Sequence, residues 1–152
     1  MHRLTRVATQ RYQDAHDSIS DFIGGKDGIT VFTKNTTEAI NMVAAGLDWQ
    51  AGDRIVTTIV EHHSNLLPWL RLRRKGVDIT VVYPGKDGIV EIDAFDEAIT
   101  ANTRLVAVSH VSNVLGTLQP VREIAAICKE RGAYFLVDWH SPFPIFLWML
   151  SR

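Results

Sequence analysis

Residues 54–83 read RIVTTIVEHHSNLLPWLRLRRKGVDITVVY, and this stretch decides the fold. Arg54 to Thr58 is a short β-branched run and predicts a strand. Ser64 to Lys75 predicts a helix, with Pro68 early in it and Gly76 just past its end. Asp78 to Tyr83 returns to β-branched and apolar residues and predicts a second strand. The strands are apolar runs rather than alternating ones, the pattern of strands buried on both faces.

The same alternation continues in both directions. Upstream, Thr5 to Ile23 predicts a helix stopped by Gly24-Gly25, Ile29 to Thr33 a strand, and Thr36 to Ala45 a helix opened by Asn35, Thr36 and Glu38 and closed by Gly46. Downstream, Pro84 to Gly88 is a turn and Asp93 to Thr100 a helix. Leu105 to Ser109 is a strand, Pro120 to Arg131 a helix ended by Gly132, and Tyr134 to Val137 a last strand. Strand and helix alternate five times, which predicts an α/β fold with a mostly parallel sheet and helices on both faces. Gly-Lys-Asp-Gly-Ile stands at both 25–29 and 85–89, but the flanks do not repeat; it reads as recurring turn chemistry before a strand. The segment after Asp138 changes character: Trp139 to Leu150 is almost uncharged and aromatic, without a helix cap or strand alternation. Two regions follow, residues 1–138 in the α/β pattern and 139–152 as an apolar tail outside it.

Composition narrows the function. With 152 residues, 46% hydrophobic, 22% charged and a net charge of -1, the chain has a globular composition and no bias toward nucleic acid or an anionic membrane. Arg71, Arg73, Arg74 and Lys75 read as the solvated end of a helix. The one cysteine, Cys128, excludes an internal disulfide and any multi-cysteine metal site, and reads as a small buried hydrophobe. No apolar run reaches the ~20 residues that span a bilayer. Asn35-Thr36-Thr37 matches a glycosylation sequon, read as chance because no secretory signal opens the sequence; the expected location is the cytoplasm.

In an open α/β sheet, ligands bind beyond the carboxyl ends of the strands, so the residues that follow each strand are the candidates. Lys34-Asn35-Thr36-Thr37-Glu38 brings hydroxyls to a helix start, which suits a phosphate and equally suits a helix cap. Glu61-His62-His63-Ser64-Asn65 places two histidines side by side. Neighbours on extended chain point opposite ways and no third ligand is spaced to match, so no metal site is expected; one ring could instead lie on an aromatic cofactor. Asp138 ends the apolar run Phe135-Leu136-Val137. A carboxylate there suits a cation such as a protonated pyridine nitrogen, or caps a turn.

Taken together, Phe32-Thr33-Lys34-Asn35-Thr36-Thr37-Glu38-Ala39-Ile40-Asn41, Glu61-His62-His63-Ser64-Asn65 with Pro68-Trp69, His110-Val111-Ser112-Asn113-Val114-Leu115-Gly116 and Leu136-Val137-Asp138 resemble the class V aminotransferase group of fold-type I pyridoxal 5'-phosphate (PLP) enzymes. Within it they are most similar to cysteine desulfurases. The resemblance runs from His2 to Asp138 and implies the central portion of the PLP type I large domain. It implies that Thr36 and Thr37 hold the cofactor phosphate, that His62 stacks on the pyridine ring, that Asn113 bonds the ring hydroxyl and that Asp138 pairs with the ring nitrogen. It implies L-cysteine as substrate, sulfur passed to iron–sulfur cluster assembly through an acceptor protein, and a homodimer.

The departures from the family pattern carry expectations of their own. Trp139-His140-Ser141 stands where the family has a small residue and Ala-Gln. The lysine that holds the cofactor, the persulfide cysteine and the substrate-binding arginine all match positions beyond Arg152, so no catalytic residue is assigned and turnover is not expected from these residues alone. Family strand order, 3-2-4-5-6-7-1, would leave strands 6 and 7 missing between the last strand and Ile29–Thr33, and the polypeptide marginal. Alternatives are a non-catalytic fragment binding a full-length paralogue, a translated pseudogene, or a piece of a selenocysteine lyase or another class V enzyme.

Overall fold

The computed structural model describes residues 3–25, 28–139 and 146–150. The chain divides into two compact units, Met1–Lys34 and Asn35–Arg152.

The first unit holds helix α1, Arg3–Phe22, and the segment after it. His16 donates from Nδ1 to the Thr30 carbonyl at 2.9 Å, and its ring centroid lies 4.1 Å from that of Phe32 and 4.4 Å from that of Tyr12. The strand expected over Ile29–Thr33 does not form. A strand exists by pairing its backbone with a neighbour. Among the described residues no strand runs beside this one, and His16 and the ring contacts anchor it instead. β-Branched composition supplied the propensity, and pairing decided the outcome.

The second unit is a five-stranded sheet. Its strands are β1 (Arg54–Thr58), β2 (Asp78–Val82), β3 (Thr103–Ser109), β4 (Tyr134–Trp139) and β5 (Phe146–Leu150), in the order β2-β1-β3-β4-β5. The first four run parallel. Helices α2 (Thr36–Gly46) and α3 (Leu67–Leu72) cover one face, and α4 (Ile92–Ala98) and α5 (Val121–Arg131) the other. The period of two along each strand sorts the core. Ile55, Leu105, Ala107 and Leu136 pack with Ile40, Ala44, Trp69 and Leu72, whereas Val56, Val106, Val108 and Phe135 pack with Phe95, Ile124 and Cys128. The expected α/β architecture, with a mostly parallel sheet covered on both faces, is what forms.

Three details differ from the sequence reading. The helix expected over Ser64–Lys75 is broken into a 3-10 turn at His63–Asn65, α3, and a second 3-10 turn at Arg73–Lys75. Pro68 has no N–H to give the Ser64 carbonyl, so a continuous helix cannot run through that turn. The tail, which lacks strand alternation and is expected to lie outside the α/β pattern, supplies β5, which pairs antiparallel with β4 from Phe135↔Leu150 to Trp139↔Phe146. An open strand edge needs only backbone partners, not alternation, and an apolar run can fill it. Residues 140–145 and 151–152 of that tail lie outside the described residues. Finally, Gly28 and Gly88 each close a turn by donating to Gly25 and Gly85 at 2.9 and 3.1 Å, but neither turn leads into a strand; Ile89 runs on to α4.

Candidate functional site

The parallel strands β1, β3 and β4 deliver their carboxyl ends to one edge of the sheet. Ser109 and Asp138 are register partners there, and His110 N–H donates to the Asp138 carbonyl at 2.9 Å. Asp138 is only 3% exposed. Trp139, next in sequence, turns its ring edge-on to His110 at 5.5 Å.

Glu61 binds the ends of β1 and β3 together. Its Oε1 accepts from the Thr58 hydroxyl, and its Oε2 from the Asn65 amide and the Ser109 hydroxyl, each at 2.7 Å. Asn65 Oδ1 in turn accepts from the Trp69 indole at 3.2 Å. All five side chains are buried. Burial raises the Glu61 carboxyl above its ordinary value, opposed by the hydrogen bonds it accepts. The sequence reading gave Glu61 no role of its own. The available signal was a carboxylate three residues past a strand, where only a donor set makes burial tolerable.

The five residues singled out from sequence fall as follows. His62, the residue after Glu61, is exposed and caps the His63–Asn65 turn. Its Nδ1 accepts from the Ser64 N–H at 3.2 Å and lies 2.7 Å from the Ser64 hydroxyl, which leaves the proton of the neutral ring on Nε2. Asn113 is exposed on the loop after β3, and Asp138 ends β4. These three therefore leave neighbouring strands at one edge. Thr36 and Thr37 open α2, which packs against the His63–Asn65 turn. The helix cap is Asn35, whose Oδ1 accepts from the Glu38 N–H at 2.9 Å, so the threonine hydroxyls are not needed for capping. Thr36 is buried and its Oγ1 has no hydrogen-bond partner among the described residues, whereas Thr37 is exposed. The His62 and His63 rings lie 6.1 Å apart, and no group of three potential metal ligands assembles among the described residues. Cys128 is far from this chemistry by environment: it is buried on α5, and burial pushes its thiol up to about 12.

A mostly parallel sheet with a helix N-terminus, a buried hydroxyl and a buried carboxylate near its strand ends places the chain in the α/β class, where ligands bind beyond the carboxyl ends of the strands. The Aminotransferase class-V family model matches residues 1–144, and the chain belongs to that family, whose enzymes depend on PLP. The probable cysteine desulfurase of Methanothermobacter thermautotrophicus is 49% identical over 135 residues, 89% of this chain and 34% of that one. The cysteine desulfurase of Haloferax volcanii is 41% identical over 150 residues, 95% of this chain and 35% of that one. The apo structure of the Thermococcus onnurineus cysteine desulfurase superposes with a TM-score of 0.85 at 42% identity, over 91% of this chain and 35% of that chain. The chain thus spans about a third of the length of the relatives it matches. The observed order β2-β1-β3-β4 is the 3-2-4-5 portion of the order expected from the resemblance. No helix among the described residues is long and apolar enough to cross a membrane.

Proposed function

We propose that these 152 residues form the cofactor-cradling part of a PLP-dependent cysteine desulfurase. The observation that carries the reading is Asp138. Its carboxylate is buried at the end of β4, the last of the parallel strands, in register with Ser109 and beside the loop that carries Asn113. The residues fit the cofactor. Thr36 offers a buried hydroxyl without a partner among the described residues at the positive end of an 11-residue helix, a setting for a phosphate. Asp138 would hold the proton of the pyridine nitrogen, His62 would lie against the ring with its proton on Nε2, and Asn113 would bond the ring hydroxyl. Bound there, the cofactor supplies an electron-withdrawing ring. The chain's own contribution is to bind and orient it and to keep a negative charge beside the ring nitrogen. The substrate is L-cysteine, and the sulfur passes to an acceptor protein for iron–sulfur cluster assembly. The working assembly is a homodimer.

None of the five lysines, at positions 26, 34, 75, 86 and 129, follows β4, where the family's cofactor-bearing lysine is expected. The isolated polypeptide therefore binds the cofactor without turning over cysteine. Pyridoxamine 5'-phosphate is the probe, because it lacks the aldehyde that would react with surface lysines. Saturable binding is expected, weakened about tenfold or more in Asp138→Asn, a loss of about 1.4 kcal/mol. Alanine released from cysteine and PLP should stay at the level given by free PLP. Binding that ignores Asp138→Asn, or alanine well above that background, overturns the reading.

A further inference from the structure

We propose that Glu61 is the positioning residue of the cofactor cradle: through Ser109 it sets the His62 loop of β1 against the strand ends that carry Asn113 and Asp138. This rests on the functional reading above and adds to it a residue that touches neither cofactor nor substrate.

The geometry makes the case. His62 is held next to a buried anchor, since Glu61 precedes it and is itself fixed by Thr58 at the end of β1 and by Asn65 one turn on. The same carboxylate oxygen that meets Asn65 also accepts from Ser109 at 2.7 Å, the last residue of β3. Ser109 is the register partner of Asp138. One carboxylate thus joins the loop bearing the ring-stacking imidazole to the strand pair bearing the ring's carboxylate. A simple core role would be met at lower cost by an apolar side chain, because burying a carboxyl is unfavourable and its donors must be buried with it. Here four further polar side chains, Thr58, Asn65, Trp69 and Ser109, are committed to one carboxylate and its relay. Polar networks of this kind fix one arrangement rather than add bulk stability. The arrangement fixed is that of the strand ends where the ligand is read.

The test compares two substitutions on one strand of the full 152-residue chain. Ser109→Ala removes the cross-strand tie at the carboxyl end of β3. Thr103→Val, at the amino end, removes a buried hydroxyl that accepts from the Thr100 N–H at 2.8 Å and lies away from the site. Both should lower the midpoint of unfolding. Pyridoxamine 5'-phosphate is titrated into each, with dissociation constant and induced circular dichroism of the bound ligand as readouts. Ser109→Ala should weaken binding about tenfold and reduce the induced signal, and Thr103→Val should leave both as in wild type. Glu61→Gln, which replaces one of the two accepting oxygens by an NH2 group, should resemble Ser109→Ala. Equal binding in wild type and Ser109→Ala overturns the proposal, as does a parallel loss in Thr103→Val, which would mark a stability effect. In either of those outcomes wild-type binding that depends on Asp138 leaves the cradle reading intact. Absence of any Asp138-dependent binding in wild type overturns both.

Discussion

The two units of this chain meet the same problem, an apolar face that must leave water, with different results. In Asn35–Arg152 every strand of the parallel sheet has a helix over each face, and Trp69, Phe95, Ile55 and Leu136 are fully or almost fully enclosed. In Met1–Lys34 the helix α1 is amphipathic yet has no buried residue, and Leu4 and Ile29 stand 78% and 93% exposed. The contrast extends to polar groups. Glu61 meets three donors, whereas the His16 Nε2 is buried without a partner among the described residues. A pattern of apolar residues states which face seeks burial; only topology decides whether a neighbour is there to provide it.

The sharpest way to break this contrast is truncation of one large apolar side chain in each unit. Phe95→Ala, at a fully buried ring between β-sheet and α5, should cost about 3–5 kcal/mol. Leu4→Ala, at a mostly exposed position on α1, should stay within about 0.5 kcal/mol. Denaturant unfolding followed by circular dichroism measures both. Comparable costs would show that α1 finds burial in solution, and two negligible costs would show that the sheet core does not form.

A smaller effect separates packing from backbone strain. Gly24 and Gly88 have φ of +69° and +78°, a region that disfavours any side chain. A Cβ on Gly24 meets nothing within 4 Å, but one on Gly88 falls 2.5 Å from Leu115 Cδ1 and 3.3 Å from Thr117 Cγ2. The Gly88 carbonyl also accepts from Thr117 and Gln119, so the backbone is held and relief must come from the half-exposed Leu115 side chain. Gly24→Ala should cost about 1 kcal/mol for strain alone, and Gly88→Ala about 1–2 kcal/mol, because Leu115 and Thr117 must also give way. Equal losses would remove the packing component and leave the two units alike.

The second unit was the more legible from sequence, and the reason is physical. Its strands are apolar on both sides, Asn35 caps α2 and Gly132 follows α5, so local preference and burial agree: Arg54–Thr58 forms as expected and Gly132 ends α5 in the left-handed region. The candidate site was legible as a set of strand ends, because an α/β sheet places its ligand there. Three things were not. Ile29–Thr33 has strand composition but no strand beside it among the described residues, and composition cannot report a missing partner. Pro68 does stand early in a helix, α3, but its missing N–H keeps Ser64 and Asn65 out of that helix. The role of Glu61 is not visible in sequence because its three donors come from Thr58, Asn65 and Ser109, and Ser109 lies 48 residues away.

The smallest expected effect sharpens the polar half of the contrast, and its sign follows from linkage. Burial raises the folded Glu61 carboxyl above its ordinary value of 4.5, and the hydrogen bonds from Thr58, Ser109 and Asn65 offset this only in part. The folded chain therefore holds this proton more tightly than the unfolded chain does. Its contribution to stability is fully present below pH 4.5 and is lost as pH rises through the folded value. Glu61→Gln carries no titrating group at that position, while all other carboxyls are shared by the two proteins. The unfolding midpoint of wild type relative to Glu61→Gln should accordingly be highest near pH 4 and fall toward neutral pH. A difference that grows with pH would mean that the three donors outweigh burial and that the site is built around the charged carboxylate. A flat difference would mean that Glu61 is reached by water in solution, and the contrast with the unsatisfied nitrogen of His16 would then narrow to hydrogen-bond count alone.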